Sequence, residues 1–115
     1  MHYTRIYSDE RGESHFEDVQ LPLVDKGDIG YLSQNFPVKT IQFRENKPDY
    51  HWDFHTAPER QFIFLLDGEI EITTSLGESR SFKSGDIILV EDIIGKGHKS
   101  KNIEQSVRRS IFVKL

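Results

Sequence analysis

An all-β domain, built as an antiparallel sandwich or barrel, is what this sequence predicts. Two segments alternate between apolar and polar residues, and several short apolar runs are closed by Gly, Asp or Ser. Helical periodicity appears over no useful length. Such spacing, with close turn signals, marks half-buried and fully buried strands. In chain order, segment 14–24 reads as an N-terminal strand, although Phe16, Val19, Leu21 and Leu23 keep no single period. A short turn around Gly30 to Gln34 is the best helical candidate. Val38 to Glu45 alternates, with Ile41 and Phe43 on one face and Thr40, Gln42 and Arg44 on the other. Gln61 to Leu66 and Ile87 to Val90 are apolar on both faces, as suits central strands. Asp67-Gly68 predicts a hairpin, because glycine accepts a positive φ. Glu69 to Thr74 places Ile70 and Ile72 inward and Glu69 and Glu71 outward. Ser75 to Glu78 and Ser84 to Asp86 read as turns, and Ile111, Phe112 and Val113 as a closing strand.

Composition narrows the class. The chain has 115 residues, the size of one domain, and carries enough aromatic bulk (11%) for a core without staples. It has no cysteine, which excludes disulfides, thiolate catalysis and cysteine zinc sites. The net charge of -4 argues against nucleic acid as a partner, since phosphate contacts need clustered Lys and Arg. No apolar run approaches the roughly 20 residues that span a bilayer, and Met1 to Arg5 lacks the apolar segment of a signal peptide. The expectation is a soluble cytoplasmic protein, with five histidines to account for.

The stretch His51-Trp52-Asp53-Phe54-His55 carries the most chemistry. On a regular strand residues 51, 53 and 55 share one face, so that face presents His, Asp and His. Trp52 and Phe54 project to the other face as packing residues. Imidazole nitrogen with carboxylate oxygen is ligand chemistry for a divalent transition metal. His98 lies in the glycine-rich stretch Gly95 to His98 and is a further candidate. The competing reading makes His51 and His98 loop residues and Asp53 a solvated charge.

With these residues in view, the chain resembles the cupins. Gly85-Asp86 opens the strand Ile87 to Val90, and Gly95, His98 and Asn102 keep the Gly-x-x-His-x-x-x-Asn spacing of that family's second motif. Ile93 stands at the family's proline. In the first motif Asp53-x-His55 stands for His-x-His, and Gln61 for the glutamate, six residues ahead of Gly68. The resemblance is nearest to small stand-alone cupins through His55 to Gln61 and Glu91 to His98. It implies a cupin-type antiparallel β-barrel, or double-stranded jelly roll, as a single domain over residues 1–115. Residues 1–37 would be an outer strand and loops, and 38–115 the barrel. It also implies a site in the barrel mouth, where Asp53, His55, Gln61 and His98 map onto the metal positions for iron, manganese, nickel or zinc (Fe, Mn, Ni or Zn).

Around that set, Glu91 and His98 are candidates for acid–base catalysis, with Asp92 as the alternative to Glu91, since one of two adjacent residues turns inward. His51, Glu59 and Tyr50 are candidate substrate-pocket residues, and Arg60 is expected to point outward. Three functions remain open: a metal-dependent oxygenase, isomerase or lyase acting on a small polar organic molecule; a metal-free binding or sensing module; and a metal-free acid–base enzyme such as an epimerase. The expected partners are a small-molecule ligand and a second copy of the chain, a homodimer through the N-terminal strand.

Overall fold

The computed structural model describes residues 1–115. The strands in chain order are β1 (His2–Ser8), β2 (Ser14–Gln20), β3 (Val24–Asp25), β4 (Tyr31–Leu32), β5 (Thr40–Asn46), β6 (His51–His55), β7 (Gln61–Leu65), β8 (Glu69–Thr74), β9 (Ser79–Lys83), β10 (Ile87–Val90), β11 (His98–Asn102) and β12 (Arg108–Lys114). A six-stranded sheet runs β2-β1-β10-β7-β12-β5, and a four-stranded sheet runs β6-β11-β8-β9. β3 and β4 form a separate ribbon around a 3-10 turn at Gly27–Ile29, just ahead of the segment where the sequence suggests one. No helix is long and apolar enough to cross a membrane.

The core lies between the two large sheets. Ile6, Ile88 and Val90 come from one, Ile70, Ile72 and Phe82 from the other, and Leu65 and Ala57 complete it. Ile70 and Ile72 point inward as their alternation requires. β5 is different: Ile41 and Phe43 are 58% and 74% exposed, while Arg44 and Asn46 turn toward the interior. The register explains the inversion. Arg44 pairs with Ser110, and Asn46 with Arg108, across the β5–β12 ladder; Ser110 and Arg108 are both buried. Directly paired residues share a face, so the apolar face of β5 goes to solvent.

One further expectation changes. Asp67-Gly68 is a corner between sheets and no hairpin, because β7 pairs with β10 and β12 whereas β8 pairs with β11 and β9. Gly68 belongs there for a steric reason: a Cβ would sit 2.8 Å from Arg108 Cγ. The N-terminal segment supplies two strands, β1 and the outer β2. β1 is paired on both sides, antiparallel to β2 and parallel to β10, which leaves β2 as the edge that a second copy could extend.

A clasp among three loops fixes the barrel mouth. Ala57 N–H donates to the Asp92 carbonyl at 3.0 Å, Lys96 N–H donates to the Gly12 carbonyl at 2.9 Å, and Glu91 takes Arg5 and Arg60 on its two carboxylate oxygens. Gly97, at φ +70°, crosses so close to β6 that a Cβ would lie 2.0 Å from the His55 carbonyl oxygen. We expect Gly97→Ala to destabilise the protein by at least about 3 kcal/mol, combining the left-handed cost with overpacking. Gly77→Ala, at φ +92° in open space, bears only the conformational part of about 1–2 kcal/mol. Urea denaturation of both variants checks this, and equal losses would contradict the clasp.

Candidate functional site

β6 and β11 meet at the site. Their register runs His98 opposite His55, Ser100 opposite Trp52, and Lys101 opposite His51, with a bulge between. The bulge puts Asp53 and Phe54 together opposite Lys99, so the alternation within β6 is broken. Residues 51, 53 and 55 therefore do not share a face. His55 stands on the inner side with the buried His98 and Ser100, while Trp52, although paired with Ser100, is 48% exposed and covers His55, the two rings stacking at 3.6 Å and 6°. His51 goes to the outer side, beside Lys101 and Glu71 in a surface hollow.

His55 and His98 are oriented by oxygen acceptors. His98 Nδ1 donates to Asp92 Oδ2 at 2.6 Å, and both residues are buried, Asp92 completely. His55 Nδ1 donates to the Asp53 carbonyl at 2.7 Å. Each imidazole thus keeps Nε2 free of protein partners, and the two ring centres are 4.6 Å apart. Burial pushes the His55 pKa below its ordinary 6.5, and the neighbouring His98 and Arg44 push it the same way, against the pull of the Asp53 carbonyl and Asp92. His55 is accordingly a neutral imidazole at pH 7.

Both histidines line an interior cavity of about 60 Å³, room for a few waters or a very small molecule. Ile63, Leu65, Ile70, Ile72, Ile88 and Val90 give it apolar walls. Gln61, Tyr50, Ser100, Arg44 and Arg108 supply the other polar groups. Tyr50 Oη and Ser100 Oγ share a hydrogen bond at 2.6 Å. Gln61 is 4% exposed and its Oε1 has no partner. Burial pushes the Arg108 guanidinium below its ordinary pKa, and Arg44 adds to this.

Of the residues expected from the sequence, His55, Gln61, His98 and Tyr50 come together on the cavity. Asp53 is exposed, its Oδ1 accepting from Phe54 N–H at 2.8 Å. Glu59 lies outside, 3.6 Å from Lys114 Nζ. Glu91 is held by Arg5 and Arg60 on the outer face, and Asp92 is the member of the acidic pair that turns inward. Alternation from Val90 dictates this choice: Val90 lines the cavity, so residue 91 points away and 92 returns. Arg60 points outward, as expected. Sequence reasoning passed over Arg44 and Arg108. The only signal for them was polar residues on one face of a strand whose apolar face looked like the core side.

These positions test the metal set that the resemblance implies. His55, His98 and Gln61 are present, Asp53 is not, and no group of three His, Asp or Glu side chains gathers anywhere. Two arginines line the same cavity. The residues do not fit a divalent cation held by Asp53, His55, Gln61 and His98, because the single carboxylate of the set faces away.

No protein-family model matches the sequence, and no curated protein matches it. Solved structures do. The cupin domain of Schizosaccharomyces pombe Cnp3 superposes with a TM-score of 0.53 at 16% identity, over 89% of this chain and 73% of that one. Protein NMB1881 from Neisseria meningitidis superposes with a TM-score of 0.52 at 14% identity, over 84% of this chain and 82% of that one. The chain has a cupin-like fold, all-β, with sheets that are antiparallel apart from the β1–β10 pair.

Two outcomes follow for the site. Because the folded-state pKa of His55 is depressed, its contribution to stability is complete above pH 6.5 and is lost as pH falls toward the folded-state value. Melting temperatures between pH 7.5 and 5.5 should fall more steeply for the wild type than for His55→Gln. Asp92→Ala, which leaves the buried His98 Nδ1–H without its acceptor, should cost about 2 kcal/mol or more, whereas Asp53→Ala at the exposed bulge should cost under about 1 kcal/mol. Chemical denaturation ranks the two; the reverse order would overturn the assignment of Asp92 as the inward acid.

Proposed function

We propose that this cupin-like domain is a small acid–base enzyme of the isomerase or epimerase type, acting on a small organic molecule in the barrel cavity. The observation that carries the reading is the buried Asp92–His98 pair, 2.6 Å long, on the cavity wall. Asp92 holds the ring through Nδ1 and stabilises the imidazolium that forms when Nε2 takes a proton, the arrangement general-base histidines use. In the step envisaged, His98 Nε2 removes a proton from the carbon beside a carbonyl. The C–H bond breaks, its electron pair moves into the enolate, and the N–H bond forms. Return of the proton to carbon restores His98. His55, neutral and one ring away, is the second proton carrier, and Trp52 stacked on it holds its plane. Asp92 is a positioning residue.

Deuterium wash-in, followed by proton NMR in D2O, tests this with neutral (hydroxyacetone, dihydroxyacetone) and anionic (pyruvate, 2-oxobutyrate) carbonyl compounds. We expect wild-type protein to catalyse exchange into at least one compound, with a loss of about 100-fold or more in His98→Gln. Exchange into none, or exchange unchanged in His98→Gln, would overturn the reading. A rate that follows stoichiometric divalent metal in the same sample would replace it with the metal-dependent alternative.

A further inference from the structure

Arg108 is 3% exposed, and its only hydrogen-bond partner is Asn102 Oδ1, which accepts from Nε at 3.0 Å. No carboxylate lies within ion-pair distance of Arg108 or of Arg44. Asp67, the nearby acid, is taken by Arg109 at 2.7 Å. Buried cations are ordinarily paired, so an unpaired guanidinium on a cavity wall asks for an anion. Arg44 and Arg108 stand over the Tyr50 ring, 5.1 and 5.7 Å from its centre, and Arg44 is also 5.3 Å from the Phe112 ring centre, so their contacts on this wall are with ring faces and not with an anion. Asn46 and Ser110 lie on the same β5–β12 face but outside the cavity lining.

We propose that this wall receives the carboxylate of a small organic monoanion, with Arg108 as its main anchor and Arg44 as the second. The inference deepens the reading of the cavity as a ligand site and rests on it. Three features select a carboxylate over phosphate. The terminal nitrogens of a guanidinium form a fork that matches two carboxylate oxygens. Two arginines against the single buried Asp92 leave one positive charge, which a monoanion cancels and a dianion exceeds. The apolar walls and the volume of about 60 Å³ suit a short carbon body attached to the anion.

The test compares sodium propionate with its neutral isostere propionamide and with inorganic phosphate, by calorimetric titration and by the NMR shifts of the His55 and His98 imidazoles. Propionate is expected to bind at least about tenfold more tightly than propionamide and more tightly than phosphate, and to shift both imidazoles. Arg108→Gln should lose at least about tenfold of the propionate affinity while propionamide binding is unchanged. Should that variant fail to fold, Arg44→Gln, at a half-exposed position, must show the loss. Propionamide binding as tightly as propionate, phosphate binding more tightly, or an arginine variant that keeps full affinity would each overturn the proposal. If neutral compounds shift the imidazoles as strongly as propionate does, the ligand site stands and the anion assignment falls. If no compound shifts them, both fall.

Discussion

Asp92 has no exposed surface, and the barrel mouth depends on how that carboxylate is accommodated. A buried carboxyl needs a hydrogen-bond partner, and His98 Nδ1–H supplies it at 2.6 Å. This fixes the ring orientation of His98. The main chain on either side is fixed with it: the Asp92 carbonyl accepts from Ala57, and Gly97 passes over the His55 carbonyl where no side chain would fit. The Asp92 main chain thus ties the loop after β6 to the loop before β11, and its carboxylate orients one of two imidazoles whose ring centres lie 4.6 Å apart. The other Asp92 oxygen, Oδ1, is buried without a partner, a desolvation cost that the rest of the fold offsets.

The second determinant is the inversion of β5. A six-stranded sheet that put Ile41 and Phe43 inward would close on an ordinary apolar core. With Arg44 and Asn46 inward instead, the barrel keeps a polar wall beside aliphatic ones. Asn102, the last residue of the glycine–histidine–asparagine pattern, serves that wall. Its Nδ2 donates to the carbonyls of Lys47, Pro48 and Ser106, and its Oδ1 accepts from Arg108. The pattern thus joins the two halves of the site, with His98 at one end of β11 and the holder of Arg108 at the other. Burial is the main cause that holds the His55 pKa below its ordinary value, with His98 and then Arg44 adding to it.

Much of the fold was legible because it rests on local signals. Period-two alternation in Glu69–Thr74, the apolar runs at 61–65 and 87–90, and the turn at Ser75–Glu78 all appear where the chain predicts them. β1 escaped notice because its inward residues are Thr4 and Ile6, an uneven pair that period counting cannot resolve. The resemblance to the cupin motifs singled out His55, Gln61 and His98, which line the cavity, together with Asp53, which does not.

What the sequence by itself determined is the class of fold, because strand periodicity and turn chemistry act over a few residues; the three cavity residues came through the resemblance its motifs carry. The tertiary structure decided the rest. It chose Asp92 over Glu91, sent Asp53 and His51 out through the bulge in β6, and brought Arg44 and Arg108 in. Each of these depends on register between strands far apart in the chain, and a shift of one residue in register exchanges the two faces of a strand.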